Sequence, residues 1–156
     1  SWLVGPIARL ATPEETEAYL LLTDDAQAEA FIQRFWESRD PAPDRPGNPV
    51  LEAFEQRAAE ADRLYSEGGQ LGRYTHRGAI FILYGEPERV TFETAPDLGS
   101  PNLEVWVYGA GAPSGLDARR PANLYRFVKR GNVTVLYTPG VTDPRLRQPA
   151  ILDDSR

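Results

Sequence analysis

The chain is 156 residues long, with 41% hydrophobic and 26% charged residues, which predicts one compact domain with a core of its own. The formal net charge of -6 argues against a nucleic-acid-binding surface, because such surfaces are normally basic. The absence of Cys, together with a single His, excludes zinc fingers, thiol catalysis, iron–sulfur clusters and disulfide scaffolds.

The first predicted elements are two helices. The segment Thr12-Pro13-Glu14-Glu15 is a capping box with proline at the first helical position, and it opens a helix that runs to about Leu22. Thr23 or Asp24 then caps a second helix, in which apolar residues recur at the spacing of a buried stripe. Pro41 ends that helix, because the residue before a proline is disfavoured in the helical conformation.

A third, longer helix is predicted after a proline-rich connector. Asn48-Pro49 repeats the signal of a cap followed by proline, and Gly68-Gly69 ends the helix. The apolar residues between these points follow helical spacing and predict one buried seam, made of Leu51, Phe54, Ala58, Ala61 and Tyr65.

The second half of the chain predicts strands. Residues 79–84 form a short apolar run that favours a strand buried on both faces, and residues 85–88 then favour a turn. Alternating patterns predict strands around residues 90–92 and 103–108. The last two strands, at residues 124–129 and 133–137, flank Arg130-Gly131-Asn132 and predict a hairpin.

This order of elements predicts an α+β fold. Three N-terminal helices are expected to pack on one face of a mostly antiparallel sheet of about five strands. The domain is expected to span residues 1–140, with a long loop at residues 109–122. Residues 141–156 contain proline and lack periodicity, which predicts an extended tail or linker.

The chain shows neither a signal peptide nor an apolar run of transmembrane length. It begins at Ser1 rather than at Met, which favours a processed or excised piece of a longer protein. No cofactor or metal site is predicted.

Two carboxylates carry the enzymatic alternative. If the strands that hold Glu93 and Glu104 pair, both acids are expected on the face that carries Trp106 and Tyr108. A pair of acids beside aromatic rings is what a glycosidase-like hydrolase uses. The favoured interpretation is that both acids are solvated strand residues.

His76, the single imidazole, is interpreted as a loop or strand-edge residue rather than a base.

Two stretches carry a family resemblance. Residues 35–43, Phe-Trp-Glu-Ser-Arg-Asp-Pro-Ala-Pro, are followed by Asn48 and a helix. Residues 72–78, Gly-Arg-Tyr-Thr-His-Arg-Gly, lead into the apolar run that closes in Gly85 and Pro87. Their order resembles the bacterial GWxTD domain family, whose function is unknown. Arg73 stands where that family has tryptophan, and His76 where it has aspartate.

The resemblance covers about residues 1–140 and implies a domain of an exported bacterial protein, in the cell envelope or secreted. The motif residues that it assigns to this chain are Gly72, Thr75, Gly78, Gly85 and Pro87. If the family's aspartate were catalytic, this chain would lack it, so a shared enzymatic activity is not favoured.

A polar cluster is predicted, and its expected members are Arg39, Asp40, Arg57 and Arg77. Guanidinium groups bind carboxylates in pairs of hydrogen bonds and also bind the free carbonyls at helix ends. The favoured interpretation is a polar network that ties the helices to the sheet, and the alternative is an anion pocket lined by the arginines.

The leading functional hypothesis is a non-enzymatic interaction or assembly module. Its expected contact surfaces for a protein partner are the exposed edge of the sheet, the loop at residues 109–122 and the tail. The alternatives are the hydrolase with a carboxylate pair and a binder of small anionic ligands.

Overall fold

A computed structural model describes residues 2–138. The five α-helices are α1 (Pro6–Leu10), α2 (Pro13–Leu20), α3 (Asp25–Glu37), α4 (Pro49–Tyr65) and α5 (His76–Tyr84), with a 3-10 turn at Gly72–Tyr74 before α5. The four strands are β1 (Arg89–Glu93), β2 (Leu103–Val107), β3 (Leu124–Arg130) and β4 (Val133–Leu136). The α+β class is therefore confirmed. The tail predicted at residues 141–156 and the boundary at residue 140 lie outside the described residues.

The helices whose starts were predicted from capping signals are α2, α3 and α4. In α2 the Thr12 hydroxyl accepts the Glu15 N–H while the Glu15 carboxylate accepts the Thr12 N–H. Asp24 accepts from the Gln27 N–H at the start of α3. Asn48 caps α4 in the same way. The short helix α1 was not predicted.

The expectation of a strand at residues 79–84 is wrong, because these residues form most of α5. Thr75 caps this helix by accepting the Gly78 N–H, at 3.0 Å. All but one of the residues from Gly78 to Tyr84 are buried, because α5 contacts both α4 and the sheet. A helix covered on nearly every side lacks a polar face, so its sequence shows no helical period.

The sheet has the strand order β1-β2-β3-β4, and every neighbouring pair is antiparallel. The predicted hairpin is present as β3 and β4, joined at Gly131-Asn132. Within residues 2–138 the sheet has four strands, against the predicted number of about five, and its two edges there are β1 and β4.

The main core lies between the helices and one face of the sheet. Trp106 and Phe127 on that face are at most 1% exposed, and the Trp106 ring contacts Tyr65 of α4. A smaller apolar cluster on the opposite face includes Leu103 and Val128. No helix in residues 2–138 has both the length and the apolarity needed to cross a membrane.

Candidate functional site

The motif residues form the junction between α4 and α5. Gly72 lies against the Ala61 carbonyl so closely that a Cβ on Gly72 would sit 1.7 Å from that oxygen. The buried Thr75 hydroxyl donates to the Gly72 carbonyl at 2.8 Å and accepts the Gly78 N–H. A Cβ on Gly78 would in turn meet the Gly72 oxygen at 1.7 Å. These residues therefore shape a tight turn that positions the start of α5.

Gly85 and Pro87 lie at the other end of α5. The Gly85 N–H donates to the Phe81 carbonyl, and the backbone there has a φ of 79°, which favours glycine. The Gly85 carbonyl accepts from the Tyr108 hydroxyl at 2.7 Å. Pro87 follows in the connection to β1. This turn returns the chain from α5 to the sheet.

His76 connects α5 to β4. Its Nδ1 accepts the Leu136 N–H at 2.9 Å, so the ring binds in its neutral form. Burial lowers the pKa of His76, and the positive charge of Arg9 lowers it further. A ring held in this way serves as a hydrogen-bond acceptor for the strand edge.

The His76 bond predicts a pH-dependent stability. Because the folded state lowers the pKa of His76, the unfolded chain binds the proton more readily, and stability falls as the pH falls below about 6.5. Between about pH 7.5 and 5.5, the free energy of unfolding of the wild type should fall by about 1 kcal/mol more than that of His76→Asn. In that variant the Asn Oδ1 takes the place of Nδ1 and does not titrate. Urea unfolding measures both, and equal pH slopes would contradict this role.

Arg77 ties α5 to the sheet. Its guanidinium donates to Glu104 of β2 at 3.1 Å and to Glu67, in the loop after α4, at 3.3 Å. The group also lies 5.3 Å from the centre of the Tyr65 ring. The Arg77 side chain is 19% exposed, and its buried Nε has no partner. The carboxylates therefore hold a largely desolvated cation at the helix–sheet boundary.

Glu67 and Glu104 extend this cluster along the sheet. Glu67 accepts both the backbone N–H and the hydroxyl of Thr134 in β4, at 2.8 and 3.1 Å. Glu104 accepts the indole N–H of Trp106 at 2.8 Å. Both carboxylates are thus held by neutral donors as well as by Arg77, an arrangement that fixes helix and strands relative to one another.

Arg39 lies in a separate cluster among the helices. Its guanidinium forms two hydrogen bonds to Glu15, at 2.7 and 3.0 Å, and one to the Leu10 carbonyl. It also stacks on the Phe35 ring at 3.7 Å. Hydrogen bonding to Arg39 is the main reason that the pKa of Glu15 is lowered. Asp40 instead accepts the N–H of Ala42 in a local turn.

Arg57 lies in a third place, at the carboxyl end of α5. It donates to the Ile82 and Leu83 carbonyls at 2.9 and 3.2 Å, so it caps that helix from α4. The single network predicted for the four polar residues is therefore wrong, because Arg39, Arg57 and Arg77 occupy separate clusters. Their contacts within residues 2–138 also do not form one shared anion pocket.

The two candidate catalytic acids lie on opposite faces of the sheet. Glu104 is opposite Phe92 in the register of β1 and β2, whereas Glu93 is opposite Leu103. Residues directly opposite in an antiparallel pair share a face, so the two carboxylates are separated by the sheet itself. The expectation that they form a pair is wrong. Glu93 instead forms an ion pair with Arg126, at 3.0 Å.

The two edges of the sheet differ in their hydrogen bonding. In β4 the outward N–H groups are those of Thr134 and Leu136, and both are satisfied, by Glu67 and His76 respectively. These side chains occupy the positions that an added strand would need. The β4 edge is therefore closed.

In the part of the chain that the structure describes, the β1 edge is open. The Tyr108 N–H donates to the carbonyl of Asn123, the residue before β3. The direction of backbone groups alternates along a strand, so the N–H and C=O groups of Leu103, Val105 and Val107 point towards β1. The register then leaves the N–H and C=O groups of Val90 and Phe92 pointing away from the sheet. All five residues of β1 are exposed, with Val90 at 46% and Phe92 at 66%.

The loop at residues 109–122 is held against α5. The Leu116 N–H bonds to the Leu83 carbonyl at 2.9 Å, and the Tyr84 hydroxyl donates to Asp117 at 2.7 Å. A Cβ on Gly115 would meet the Tyr84 ring and the Leu83 oxygen at about 2.5 Å, so the loop backbone packs closely there. Residues 115–117 are therefore fixed against α5, while most of the other residues of the loop are exposed.

A cleft of about 600 Å³ lies between the helices and the 3-10 turn. Its walls are mainly apolar and include Trp2, Trp36 and Phe54. The charged residues beside it are Glu55 and Arg73, and Arg73 is already bound to a carboxylate of α4 at 2.7 Å. The lining therefore does not match an anion site.

Glu67 is the important residue that the sequence analysis missed. It binds Thr134, which is 67 positions away, and it also binds Arg77. In the sequence Glu67 stands beside Gly68-Gly69, and this local pattern indicates only the end of a helix. A contact over such a distance leaves no local pattern, so no sequence signal was available for it.

Comparison with known proteins gives one match. The family model described as the GWxTD domain matches residues 1–129. The matched segment contains all five helices, β1, β2 and most of β3. No curated protein and no solved structure matches the chain.

Proposed function

The chain belongs to the GWxTD domain family, and from that membership and the geometry of its sheet we propose that it is a non-enzymatic interaction or assembly module. Its partner binds as an extended strand along the outer edge of β1. One observation carries the proposal: side chains close the β4 edge, whereas within residues 2–138 the outward backbone groups of β1 have no hydrogen-bond partner. An unprotected edge is a template for another chain.

Strand addition uses both the backbone and the side chains of β1. The free N–H and C=O groups of Val90 and Phe92 supply affinity for any extended segment, and alternate side chains supply selectivity. Val90 and Phe92 offer an apolar surface on one side of the sheet. Thr91 offers a polar surface on the other side. A partner strand with alternating apolar and polar residues fits both sides.

The setting of this module is also a proposal. Resemblance to the family supports a place outside the bacterial cytoplasm, in the envelope or in a secreted protein. The two alternatives, a hydrolase with a carboxylate pair and an anion binder, have less support. Glu93 and Glu104 are separated by the sheet, and the guanidinium groups of Arg39 and Arg77 are bound to carboxylates.

Site-specific photo-crosslinking in the native cells tests the proposal. A photoreactive phenylalanine analogue replaces Phe92 in one variant and Leu20 in a control, since these side chains are similarly exposed at 66% and 69%. We expect position 92 to give an adduct of defined mass that position 20 does not give. A protein without a partner at β1 would give no such adduct.

A proline substitution in β1 supplies the second control. Val90→Pro removes an N–H that points outward, so β1 stays paired with β2 while the edge is blocked. Thr91→Pro removes an N–H that bonds to β2 and should disturb the sheet itself. We expect Val90→Pro to abolish the adduct at position 92 without lowering the unfolding temperature appreciably. An adduct that persists in Val90→Pro would overturn strand addition.

A further inference from the structure

We propose that the open edge binds β1 of a second copy of this chain, antiparallel and about a twofold axis through Thr91. This inference rests on the proposed function and names its partner. It follows from the order of side chains in the exposed strand, which reads Arg-Val-Thr-Phe-Glu from Arg89 to Glu93. That order is complementary to itself when the strand is reversed.

The backbone permits this pairing. The outward groups of β1 belong to Val90 and Phe92. With the twofold axis at Thr91, Val90 lies opposite the partner's Phe92, and Phe92 lies opposite the partner's Val90. Both positions then exchange reciprocal N–H to C=O hydrogen bonds. Thr91 faces the partner's Thr91 in the non-hydrogen-bonded site between them, where Thr–Thr pairs are favourable.

The charges are complementary in the same register. Arg89 lies opposite the partner's Glu93, and Glu93 lies opposite the partner's Arg89. Opposite charges in directly facing positions stabilise antiparallel pairs. Both side chains are exposed in the single chain, Arg89 at 60% and Glu93 at 44%, and are accessible to a partner. Their present contacts are surface ion pairs, with Glu88 and Arg126 respectively, which are weak.

The apolar side chains also match. Val90 and Phe92 lie on the opposite side of the sheet from Arg89 and Glu93, because side chains alternate along a strand. Pairing places each Val90 beside the partner's Phe92, and aromatic with β-branched pairs are favourable across strands. Both residues are exposed in the single chain, so pairing removes apolar surface from water.

Neighbouring registers lose this complementarity. A shift that sets Val90 opposite the partner's Val90 also sets Arg89 opposite the partner's Thr91. A shift in the other direction sets Phe92 opposite the partner's Phe92 and Arg89 opposite the partner's Ala95. In each case the charges no longer face opposite charges. The twofold axis at Thr91 is therefore the register that the sequence of β1 selects.

The closed β4 edge limits the assembly to two chains. Pairing through β1 on both copies joins the two sheets, and the outer edges of the joined sheet are then both β4. Glu67 and His76 occupy the outward N–H groups of that strand. The interface is self-complementary and closed, so further strands are not added. The short edge predicts a weak, concentration-dependent dimer.

Charge reversal in a mixing experiment tests the second copy. Arg89→Glu places Glu opposite the partner's Glu93, and Glu93→Arg places Arg opposite the partner's Arg89. Each variant alone should self-associate about tenfold more weakly than the wild type, as measured by sedimentation equilibrium. An equimolar mixture of the two variants restores opposite charges at both positions, so heterodimers should form with nearly wild-type affinity. Circular dichroism confirms that both variants are folded.

The outcomes separate this inference from the proposed function. The proposal that a second copy binds β1 is overturned if the wild-type chain stays monomeric at millimolar concentration. It is also overturned if the mixture of the two charge-reversal variants associates no better than either variant alone. The photo-crosslink at Phe92 then decides the rest. An adduct with the mass of a different protein would support the interaction module with a partner other than a second copy. The absence of any adduct would overturn both the interaction module and the second copy.

Discussion

Gly72→Ala is expected to destabilise the domain by about 3 kcal/mol or more, because no local shift of side chains can relieve the clash that it creates. A Cβ at this position would lie 1.7 Å from the Ala61 carbonyl oxygen and 2.4 Å from its carbon. Both obstacles are backbone atoms of α4, so the junction before α5 has to move as a whole. Urea unfolding monitored by tryptophan fluorescence measures the loss.

Gly111→Ala is the matched control for this substitution. No atom lies within 4 Å of a Cβ at Gly111, and its φ is not in the left-handed region. Alanine there should leave the free energy of unfolding unchanged or raise it slightly, because it restricts the unfolded chain. If Gly72→Ala were as stable as Gly111→Ala, the close approach of the motif to α4 would not be a requirement of the fold.

Arg77→Leu is expected to cost about 3 kcal/mol. The substitution leaves Glu67 and Glu104 largely out of water, at 11% and 22% exposure, without the cation that they share. Two carboxylates near one another then repel, and the link between α5 and the sheet is lost. Chemical unfolding at neutral pH measures the effect.

Two variants show whether the cost comes from the buried charges. Arg63→Leu removes another guanidinium, but from an exposed ion pair with Glu60 on the surface of α4, and it should leave the free energy of unfolding nearly unchanged, because water screens such pairs. Adding Glu104→Gln to Arg77→Leu removes one uncompensated charge while the amide oxygen can still accept from Trp106, so part of the loss should be recovered. Unchanged stability in Arg77→Leu would contradict the structural role and favour a ligand role for Arg77.

The sequence was most informative about helix starts. The caps at Thr12, Asp24 and Asn48, the first and last of them followed by proline, predicted α2, α3 and α4, because a cap binds backbone groups only two or three residues away. The hairpin of β3 and β4 was equally local. Signals of this kind need no knowledge of the rest of the fold.

The sequence was misleading about α5 and about the candidate acids. Ile80 and Ile82 favour a strand locally, and the packing of α4 and the sheet around this segment overrides that preference. The supposed pair of Glu93 and Glu104 depended on a register that a one-residue shift reverses. Neighbouring residues in the sequence determine neither the environment of α5 nor the register of β1.

By itself, then, the sequence determined the helix caps, the α+β order of elements and the family motif, since each depends on residues close together in the chain. The sequence of β1 also places Arg89 and Glu93 so that their charges face opposite charges when the strand pairs with a reversed copy of itself. Only the tertiary structure decided which sheet edge is open, because the groups that close β4 come from Glu67 and His76, 60 or more positions away. Contacts over such distances form only when the chain folds, and they leave β1 as the edge available to a partner.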